Sequence, residues 1–336
     1  MARPPAVLDR ARSTILPALR QATARLSPEL RRSSEYHLGW IDVDGRPIQA
    51  GAGKHVRAAL ALLSAAAVGA DEAVAVPGAV AVELVHNFSL MHDDVIDDDR
   101  ERRHRPTVWA AFGVGQAITA GDALATLAMQ VLLDEGTPGA VRGASVLADA
   151  TSRLIAGETV DIAFETRDDV TWDECIEMSN AKTGALLGCA ASLGAVLAGV
   201  DGERVARLND YGLHLGLAFQ AVDDILGIWG QTATTGKPVW SDLRQQKKTL
   251  PITAALARAD GHRDELRLLL AASRDDEDAA ARAADLIEKW GGREATEQAA
   301  AEHFDAALAA LDAAEPEPGA KTELLEVARF VVERET

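Results

Sequence analysis

Five aspartates fall within seven residues in the first third of the chain, as Asp93-Asp94-Val95-Ile96-Asp97-Asp98-Asp99. At helical spacing Asp93 and Asp97 share one face, and Asp94 and Asp98 share another. Two like charges about 4 Å apart repel by roughly 4 kcal/mol at an effective dielectric constant near 20, and a divalent cation removes that cost. Because the cluster offers carboxylates without cysteine or paired histidine, it favours a hard ion such as Mg²⁺, which binds carboxylates together with substrate phosphates.

An almost wholly apolar segment leads into this cluster. It extends from Val80 to Met91, and its polar residues are Glu83, His86, Asn87 and Ser89. A helix that is apolar nearly all round is usually buried, so the aspartates are expected where a core helix meets a polar site. His86 lies two turns before Asp93 on the same stripe. An alternative interpretation is a solvent-exposed acidic loop that caps a core helix. Arg102 and Arg103 argue against it, because their forked donors suit phosphate oxygens.

A second apolar segment, Phe219–Gly227, also carries paired aspartates. Gln220, Asp223, Asp224 and Gly227 lie at positions i, i+3, i+4 and i+7, which is one face of a helix. Two such helices facing each other would place both acidic pairs around one diphosphate.

With these residues the chain resembles the trans-isoprenyl diphosphate synthases, also called polyprenyl synthetases. The matching motifs are His92-Asp93-Asp94 through Asp97, Arg102-Arg103, Pro106-Thr107, Lys182-Thr183-Gly184, Gln220, Asp223-Asp224, Gly236-Lys237, and Lys247 through Pro251. The resemblance extends from about residue 40 to about residue 260, and the order of the motifs is more specific than any one of them. It implies an all-α fold, a single large helical bundle with a central active-site cavity. We expect one domain over residues 1–336, with C-terminal helices from about 261.

The resemblance also implies the roles of individual residues. The expected catalytic residues are Asp93, Asp94, Asp97, Lys182, Asp223 and Asp224, and the expected ligands of about three Mg²⁺ ions are Asp93, Asp94, Asp97 and Asp223. The expected substrate-binding residues are Lys54, Arg57, His86, Arg102, Arg103, Lys182, Thr183, Gln220, Lys237 and Lys247. Arg102, Lys182 and Thr183 are assigned to an allylic diphosphate, and Lys54, Arg57, His86 and Arg103 to isopentenyl diphosphate. Lys54 and Arg57 also stand near a helix start, which favours anions.

The implied reaction is ionisation of the allylic diphosphate, attack by the double bond of isopentenyl diphosphate, and loss of a proton to the released pyrophosphate. Chain length should follow the depth of the cavity below the first acidic cluster. Phe88 stands five residues before Asp93 and is expected to act as a floor, and the small Ser89 faces nearly the same way as Asp93. We therefore predict geranylgeranyl diphosphate as the product, with farnesyl diphosphate as the closest alternative.

Three positions depart from the usual pattern of the family. His55 stands where arginine is common, Ala58 where proline is common, and Gly227 where a third aspartate is usual. The missing aspartate calls the full activity or the usual substrate preference into question, and it alone favours a non-catalytic partner or binding subunit of the same fold. A class I terpene cyclase is a further alternative, although the Asn/Asp, Ser/Thr and Glu triad of such enzymes is not found after Asp223.

Composition limits the possible partners and the compartment. The 336 residues carry a formal net charge of −18, which argues against a nucleic-acid partner and leaves anionic substrates to local cations and bound magnesium. Cys175 and Cys189 do not suggest a disulfide framework, so a reducing cytoplasm is expected. The uncharged run Ala185–Val200 is shorter than the roughly 20 residues of a membrane span and predicts a buried helix. The resemblance implies a homodimer.

Two local signals concern the segment between the acidic clusters. Thr171, followed by Glu174 three residues later, predicts a helix start of the capping-box type. Gly184 in the Lys-Thr-Gly motif predicts a break in the helix that follows.

Overall fold

The computed structural model describes residues 4–48, 50, 53–230, 239–259 and 261–333. The N-terminal helices are α1 (Ala6–Thr23), α2 (Pro28–His37), α3 (Val56–Ala67), α4 (Val76–Ile96), α5 (Val108–Phe112), α6 (Val114–Leu133), α7 (Pro138–Phe164) and α8 (Trp172–Ser179). They are followed by α9 (Ala185–Leu197), α10 (Glu203–Trp229), α11 (Ser241–Arg244), α12 (Leu250–Arg258), α13 (Arg263–Ala272), α14 (Glu277–Lys289), α15 (Gly292–Ala313) and α16 (Pro318–Val332). A ribbon of β1 (Glu101–Arg102) and β2 (Arg105–Pro106) is the one sheet within these ranges. The all-α prediction is confirmed.

Helix α9 lies at the centre of the bundle, in contact with α3, α4, α7 and α10. The prediction of a buried helix there is confirmed, since its residues from Ala185 to Val196 are buried. Small residues let its neighbours approach closely. A Cβ atom at Gly194 would overlap with the carbonyl oxygen of Ala61 in α3, and the Gly194 N–H donates to Ser64 Oγ at 2.8 Å. The core is therefore built by close contact of backbones as well as by large side chains.

The segment from α8 to α9 begins as predicted and continues differently. Thr171 caps α8, and both hydrogen bonds of the capping box with Glu174 are present. The break expected at Gly184 is replaced by a π-helical turn over Asn180–Gly184 that joins α8 to α9. Such turns occur as bulges within helices, often at functional sites. The helix stays continuous because neighbouring backbones pack directly against it.

Two glycines on neighbouring helices make this packing possible. A Cβ atom at Gly157 of α7 would lie 2.9 Å from Lys182 Cα, and one at Gly216 of α10 would lie 2.8 Å from Gly184 Cα. Contacts this short are not tolerated by real Cβ atoms. The π-helical turn is thus held between α7 and α10, and Lys182 is fixed at their junction.

The C-terminal helices enclose the bundle. Helix α15 lies along α10, and α16 packs on α3. A smaller apolar cluster joins the end of α10 to α11, α12, α13 and α14 through buried residues that include Ile228, Leu243, Ile252, Leu266 and Ile287. These elements position the segment from Ser241 to Thr249 beside the end of α10.

Two helices of the described chain are long and apolar enough to cross a membrane by length and composition. The first is α4 with its preceding turn, Glu72–Ile96, and 72% of its apolar window is buried inside the protein. The second is α6, of which 39% is buried. Helix α4 is accounted for as the core helix that the sequence predicts. Helix α6 leaves an apolar face exposed, and such a face could pack against a second protein chain.

The packing at the π-helical turn makes Gly157 intolerant of a side chain. We expect Gly157→Ala to destabilise the protein by about 1–3 kcal/mol, because the added methyl group must push the backbone of Lys182 away from α7. The measurement is urea-induced unfolding. Gly115→Ala in α6 is the matched control, since nothing lies within 4 Å of a Cβ atom there. Equal unfolding midpoints for the two variants would contradict this account.

Candidate active site

A cavity of about 530 Å³ opens between the polar ends of α4, α7 and α10. Most of the site residues predicted from the sequence line it: Lys54, Arg57, His86, Ser89, Asp93, Asp97, Arg102, Arg103, Lys182, Thr183, Gln220, Asp223, Asp224 and Lys247. Asp94 and Phe88 are not among the described residues that line it. Lys237 lies outside the described residues, so its predicted role stays a prediction.

The first acidic cluster is divided between two directions. Asp93 and Asp97 face the cavity, whereas Asp94 points away and accepts a hydrogen bond from Arg102 Nε at 2.7 Å. Consecutive residues of a helix are rotated by about 100°, and at this position the rotation turns Asp94 toward Arg102 of the β1–β2 ribbon. Asp94 is therefore bonded to Arg102 outside the cavity lining, and its predicted role as a metal ligand stays a prediction. Burial raises the pKa of Asp94 to about 6, although Arg102 opposes the shift.

Arg102 and Arg103 are presented by the β1–β2 ribbon, whose two central residues have positive φ. Arg103 (φ 54°) and His104 (φ 60°) form a two-residue turn between the paired Arg102 and Arg105. Positive φ at both central positions is the type I′ geometry, which usually selects glycine or asparagine. Neither stands here, and strained backbone of this kind is often found at functional sites. A Cβ atom at Gly53 would lie 2.8 Å from the Arg103 guanidinium, so the absence of a side chain at Gly53 makes room for Arg103.

The second acidic cluster is tied to its surroundings by a chain of hydrogen bonds. Thr183 donates to Gln220 Oε1 at 2.9 Å, and Gln220 Nε2 donates to Asp224 Oδ1 at 2.8 Å. Asp224 Oδ2 then accepts the backbone N–H of Leu250 at 3.0 Å, the first residue of α12. Asp223 faces the same cavity one position earlier. Asp224 therefore positions three elements around the cavity, and burial raises its pKa to about 7.

Two lysines lie among the carboxylates at the mouth of the cavity. Lys182 Nζ is 2.6 Å from Glu158 Oε2 and 2.6 Å from Asp161 Oδ2, both on α7. Lys247 Nζ is 3.0 Å from Asp97 Oδ2. Burial alone would lower the pKa of Lys247, but Asp97 raises it to about 12. Both lysines are therefore charged, and they face the space where an anion would lie.

Glu158 and Asp161 were missed by the sequence analysis. Their spacing of i, i+3 on a helix was visible, and it places both carboxylates on one face. What the sequence did not show is that this face of α7 turns toward Lys182. Glu158 also faces Asp93, and its charge adds to the effect of burial in raising the pKa of Asp93 to about 7.

A second group of basic side chains lines the cavity near the start of α3. Lys54, Arg57, His86 and Arg103 all line the cavity here. Arg57 Nη1 is 3.4 Å from His86 Nε2, and burial followed by the charge of Arg57 holds the pKa of His86 well below its usual value. His86 is consequently neutral and can accept or donate one hydrogen bond.

Glu83 anchors the turn that carries these cations. His55 has φ 50° and places Nδ1 3.1 Å from Glu83 Oε2, while Glu83 Oε1 accepts the backbone N–H of Ala58 at 3.3 Å. Burial alone would raise the pKa of Glu83, but His55 and Arg57 lower it. The histidine that replaces the usual arginine is thus part of a buried pair that fixes the start of α3.

The carboxylates fit magnesium bound together with a phosphate group. Asp93, Asp97 and Asp223 offer hard oxygen ligands from two facing helices. Within the described ranges, no three acidic or histidine side chains converge into a complete metal site by themselves. That is the usual situation for Mg²⁺, which takes one or two carboxylates and completes its shell with water and substrate phosphates.

Comparisons with known proteins agree with this geometry. A sequence model described as polyprenyl synthetase matches residues 45–287. The chain is 45% identical over 335 residues to a (2E,6E)-farnesyl diphosphate synthase of Mycobacterium tuberculosis H37Rv, covering 98% of this chain and 93% of that one. It is 41% identical over 334 residues to a geranylgeranyl diphosphate synthase of the same organism, covering 98% and 94%. A polyprenyl synthetase from Streptomyces coelicolor A3(2) superposes with a TM-score of 0.92 at 50% identity, covering 97% and 99%.

The raised pKa of Asp93 predicts how magnesium binding depends on pH. Protons and Mg²⁺ compete for this carboxylate, so below pH 7 the metal must displace a proton and its affinity falls. Titration calorimetry of Mg²⁺ with pyrophosphate, corrected for the metal affinity of free pyrophosphate, should give weaker binding at pH 6 than at pH 8. Asp93→Asn should bind more weakly at both values and lose most of the pH dependence. Equal wild-type affinity at pH 6 and pH 8 would show that Asp93 does not bind the metal.

Proposed function

The chain belongs to the polyprenyl synthetase family and is a short-chain, Mg²⁺-dependent trans-prenyltransferase, and we propose that its product is geranylgeranyl diphosphate, made from isopentenyl diphosphate and an allylic diphosphate. The observation that carries the proposal is the composition of the cavity. Two carboxylate clusters and two separate groups of cations surround its mouth, and its deep part is apolar. One group of cations, together with magnesium, suits the diphosphate that leaves the allylic substrate. The other group suits the diphosphate that isopentenyl diphosphate keeps.

Lys182, Lys247 and Arg102 would hold the allylic diphosphate against the carboxylate-bound ions, of which we propose about three. Magnesium, when bound, neutralises the charge that develops on the leaving diphosphate. Lys54, Arg57, Arg103 and neutral His86 would bind isopentenyl diphosphate near the start of α3 and aim its double bond at the allylic carbon. The apolar walls exclude water from the cation that forms. We assign no side-chain nucleophile, because the departing diphosphate can take the proton that is lost.

We propose that the floor of the cavity lies one helical turn below the polar groups. Each of four lining residues stands four positions from a charged residue of the mouth: Ser89 from Asp93, Leu154 from Glu158, Leu186 from Lys182, and Phe219 from Asp223. We call Ser89, Leu154, Leu186 and Phe219 the floor ring. Ser89 is its small member, so the cavity is deepest along α4, and this supports a product longer than farnesyl diphosphate.

Phe88 does not belong to the floor ring, because it is not among the described residues that line the cavity, and its predicted role as the floor stays a prediction. It lies on the far side of α4, where its ring packs edge-to-face on His92 with centroids 4.9 Å apart. His92 in turn lies against Gly121 of α6, where a Cβ atom would overlap with its ring. The rotation of about 100° per residue again separates neighbours on a helix, so Ser89 faces the cavity and Phe88 faces α6.

A homodimer would cover the apolar face of α6 and α7. Large apolar side chains on these two helices are 41% to 57% exposed: Val114, Ile118, Leu133, Val141, Ile155, Val160 and Ile162. The two helices are in contact, so these exposed apolar side chains lie on neighbouring elements. Contiguous exposed apolar surface commonly marks an interface between proteins. We propose that two copies of the chain pack through it, which also accounts for the low burial of α6.

We further propose a cytoplasmic enzyme of one domain. Cys175 and Cys189 are buried free thiols, which suits a reducing compartment. A single core cluster includes Val7 of α1 and Val331 of α16, so the two ends of the described chain share one core with α4 and α9.

Product analysis tests the proposed function and the floor ring together. Purified protein with Mg²⁺, isopentenyl diphosphate and each short allylic diphosphate in turn should release geranylgeranyl diphosphate. Leu154→Ala should lengthen the product by one or more units, and Ser89→Phe should shorten it toward farnesyl diphosphate, because each changes the depth of the cavity.

Phe88→Leu serves as the control and should leave product length unchanged. Farnesyl diphosphate from the wild type would establish the alternative product. Cyclised hydrocarbon would indicate a cyclase, and bound substrate without turnover would indicate a non-catalytic subunit.

The interface predicts that a charge within the apolar face separates the subunits. Ile155→Asp should lower the molar mass measured by light scattering from two chains to one, because a carboxylate cannot be buried there without a partner. Leu268→Asp on α13 is the control, since this side chain is 72% exposed and lies outside the proposed interface. A wild-type protein that is already monomeric would refute the proposed homodimer.

A further inference from the structure

Thr107 of the Pro106-Thr107 motif is not among the described residues that line the large cavity. It occupies the N-cap position of helix α5, where a threonine hydroxyl usually accepts a backbone N–H of the first turn. Here the Thr107 side chain makes no capping hydrogen bond. Because Thr107 is only 3% exposed, its hydroxyl needs a different partner inside the protein.

A second, much smaller cavity lies beside Thr107, between α2, α4 and the β1–β2 ribbon, and its volume is about 20 Å³. One water molecule needs roughly 10–15 Å³, so the space admits a water molecule and excludes a phosphate group. The Tyr36 hydroxyl donates to the carbonyl oxygen of Pro106 at 2.7 Å, and Arg105 Nη1 donates to the carbonyl oxygen of Tyr36 at 3.2 Å. These two bonds hold α2 against the ribbon and fix the shape of the small cavity.

Three residues that line the small cavity each carry a buried polar atom without a hydrogen-bond partner in the described ranges. The atoms are His37 Nε2, Asp94 Oδ2 and Thr107 Oγ1, contributed by α2, α4 and the residue before α5. Asp94 is 1% exposed, so its carboxylate cannot turn to bulk solvent. Buried polar groups are nearly always paired, and ordered water serves those that no protein group reaches.

The hydrogen-bonding state of His37 follows from its other neighbours. A side-chain hydrogen bond with Asn87 raises the pKa of His37, so the ring donates an N–H to the Asn87 oxygen. Burial, followed by the charges of Arg103 and Arg102, outweighs this and lowers the pKa to about 3. The ring is therefore neutral and has a single N–H, which Nδ1 carries toward Asn87. Nε2 is left as an acceptor.

The donors and acceptors around the small cavity match those of one water molecule. Its two hydrogens serve the two acceptors, Asp94 Oδ2 and His37 Nε2, and one lone pair accepts the Thr107 hydroxyl. An ion fits poorly. Arg102, Arg103 and Arg105 also line this space and repel a cation, whereas the Asp94 carboxylate repels an anion.

We propose that one buried water molecule bridges Asp94, His37 and Thr107, and that His37 and Thr107 are thereby positioning residues for Arg102. Asp94 Oδ1 accepts Arg102 Nε at 2.7 Å, and the water holds Oδ2 of the same carboxylate from the opposite side. The carboxylate then cannot rotate, and the Arg102 guanidinium keeps its direction. Since Arg102 is assigned to the allylic diphosphate, the positioning role rests on the proposed function, whereas the water site does not.

A crystal structure of the wild type at a resolution that shows ordered water tests the site directly. We expect one solvent peak within about 3.2 Å of Asp94 Oδ2, His37 Nε2 and Thr107 Oγ1. An empty cavity, or an ion in it, would overturn the water site.

Steady-state kinetics of Thr107→Val test the positioning role. The exchange removes the hydroxyl and keeps the shape of the side chain, and α5 loses no capping bond. The KM for the allylic diphosphate should rise about tenfold, the effect of one unsatisfied buried polar group, while the KM for isopentenyl diphosphate stays unchanged. Thr107→Ser keeps the hydroxyl and should restore the wild-type KM.

Thr23→Val is the matched control, since Thr23 is also fully buried but its hydroxyl bonds within α1, to the carbonyl oxygen of Leu19. It should leave both KM values unchanged, and thermal unfolding establishes that each variant is folded. An unchanged allylic KM in Thr107→Val, or an equal rise in both KM values, would overturn the positioning role and leave the proposed function standing. A wild type without turnover would overturn the proposed function and the positioning role together, and the crystal structure would still decide the water site.

Discussion

The crowding of carboxylates at the mouth of an apolar helical bundle is the constraint on which the rest of the structure depends. Burial and mutual repulsion raise the pKa values of Asp93, Asp94 and Asp224 to about 6 or 7. Each carboxylate then needs a cation or a hydrogen-bond donor in reach. Arg102 donates a hydrogen bond to Asp94, the backbone N–H of Leu250 donates to Asp224, and Lys247 donates to Asp97. The cations proposed to bind substrate are therefore also the ones that hold these carboxylates in place.

Backbone contact is the second requirement, since side chains at the junctions of the central helices would keep the charged groups apart. Gly157 and Gly216 let α7 and α10 close on the π-helical turn that carries Lys182 and Thr183. Gly227 lets α11 close on α10. Glycine is destabilising within a helix, by roughly 0.5–1 kcal/mol relative to alanine. Its repeated use at these contacts shows that close approach outweighs that cost.

The sequence allowed the helical fold, the buried α4 and the face of Gln220, Asp223 and Asp224 to be predicted, because each follows from periodicity within one element. Asp94 and Phe88 were expected to face the cavity, but neither is among the described residues that line it, because Asp94 is turned toward Arg102 and Phe88 toward His92. Glu158 and Asp161 could not be assigned from the sequence. Their place beside Lys182 depends on which helix lies opposite α7, and no pattern within α7 states that.

The floor ring has a consequence for how such a protein measures its product. Below Ser89, Leu154, Leu186 and Phe219, the next residues along the same faces are Val85, Ala150, Ala190 and Leu215, all buried. Successive levels are one helical turn apart, about 5.4 Å, which is close to the length of one five-carbon unit of an extended prenyl chain. The proposed floor of the cavity would therefore move by about one monomer for each helical turn. A single replacement of a large side chain by a small one at one level would deepen the cavity by about one unit. The charged residues at the mouth of the cavity would stay the same.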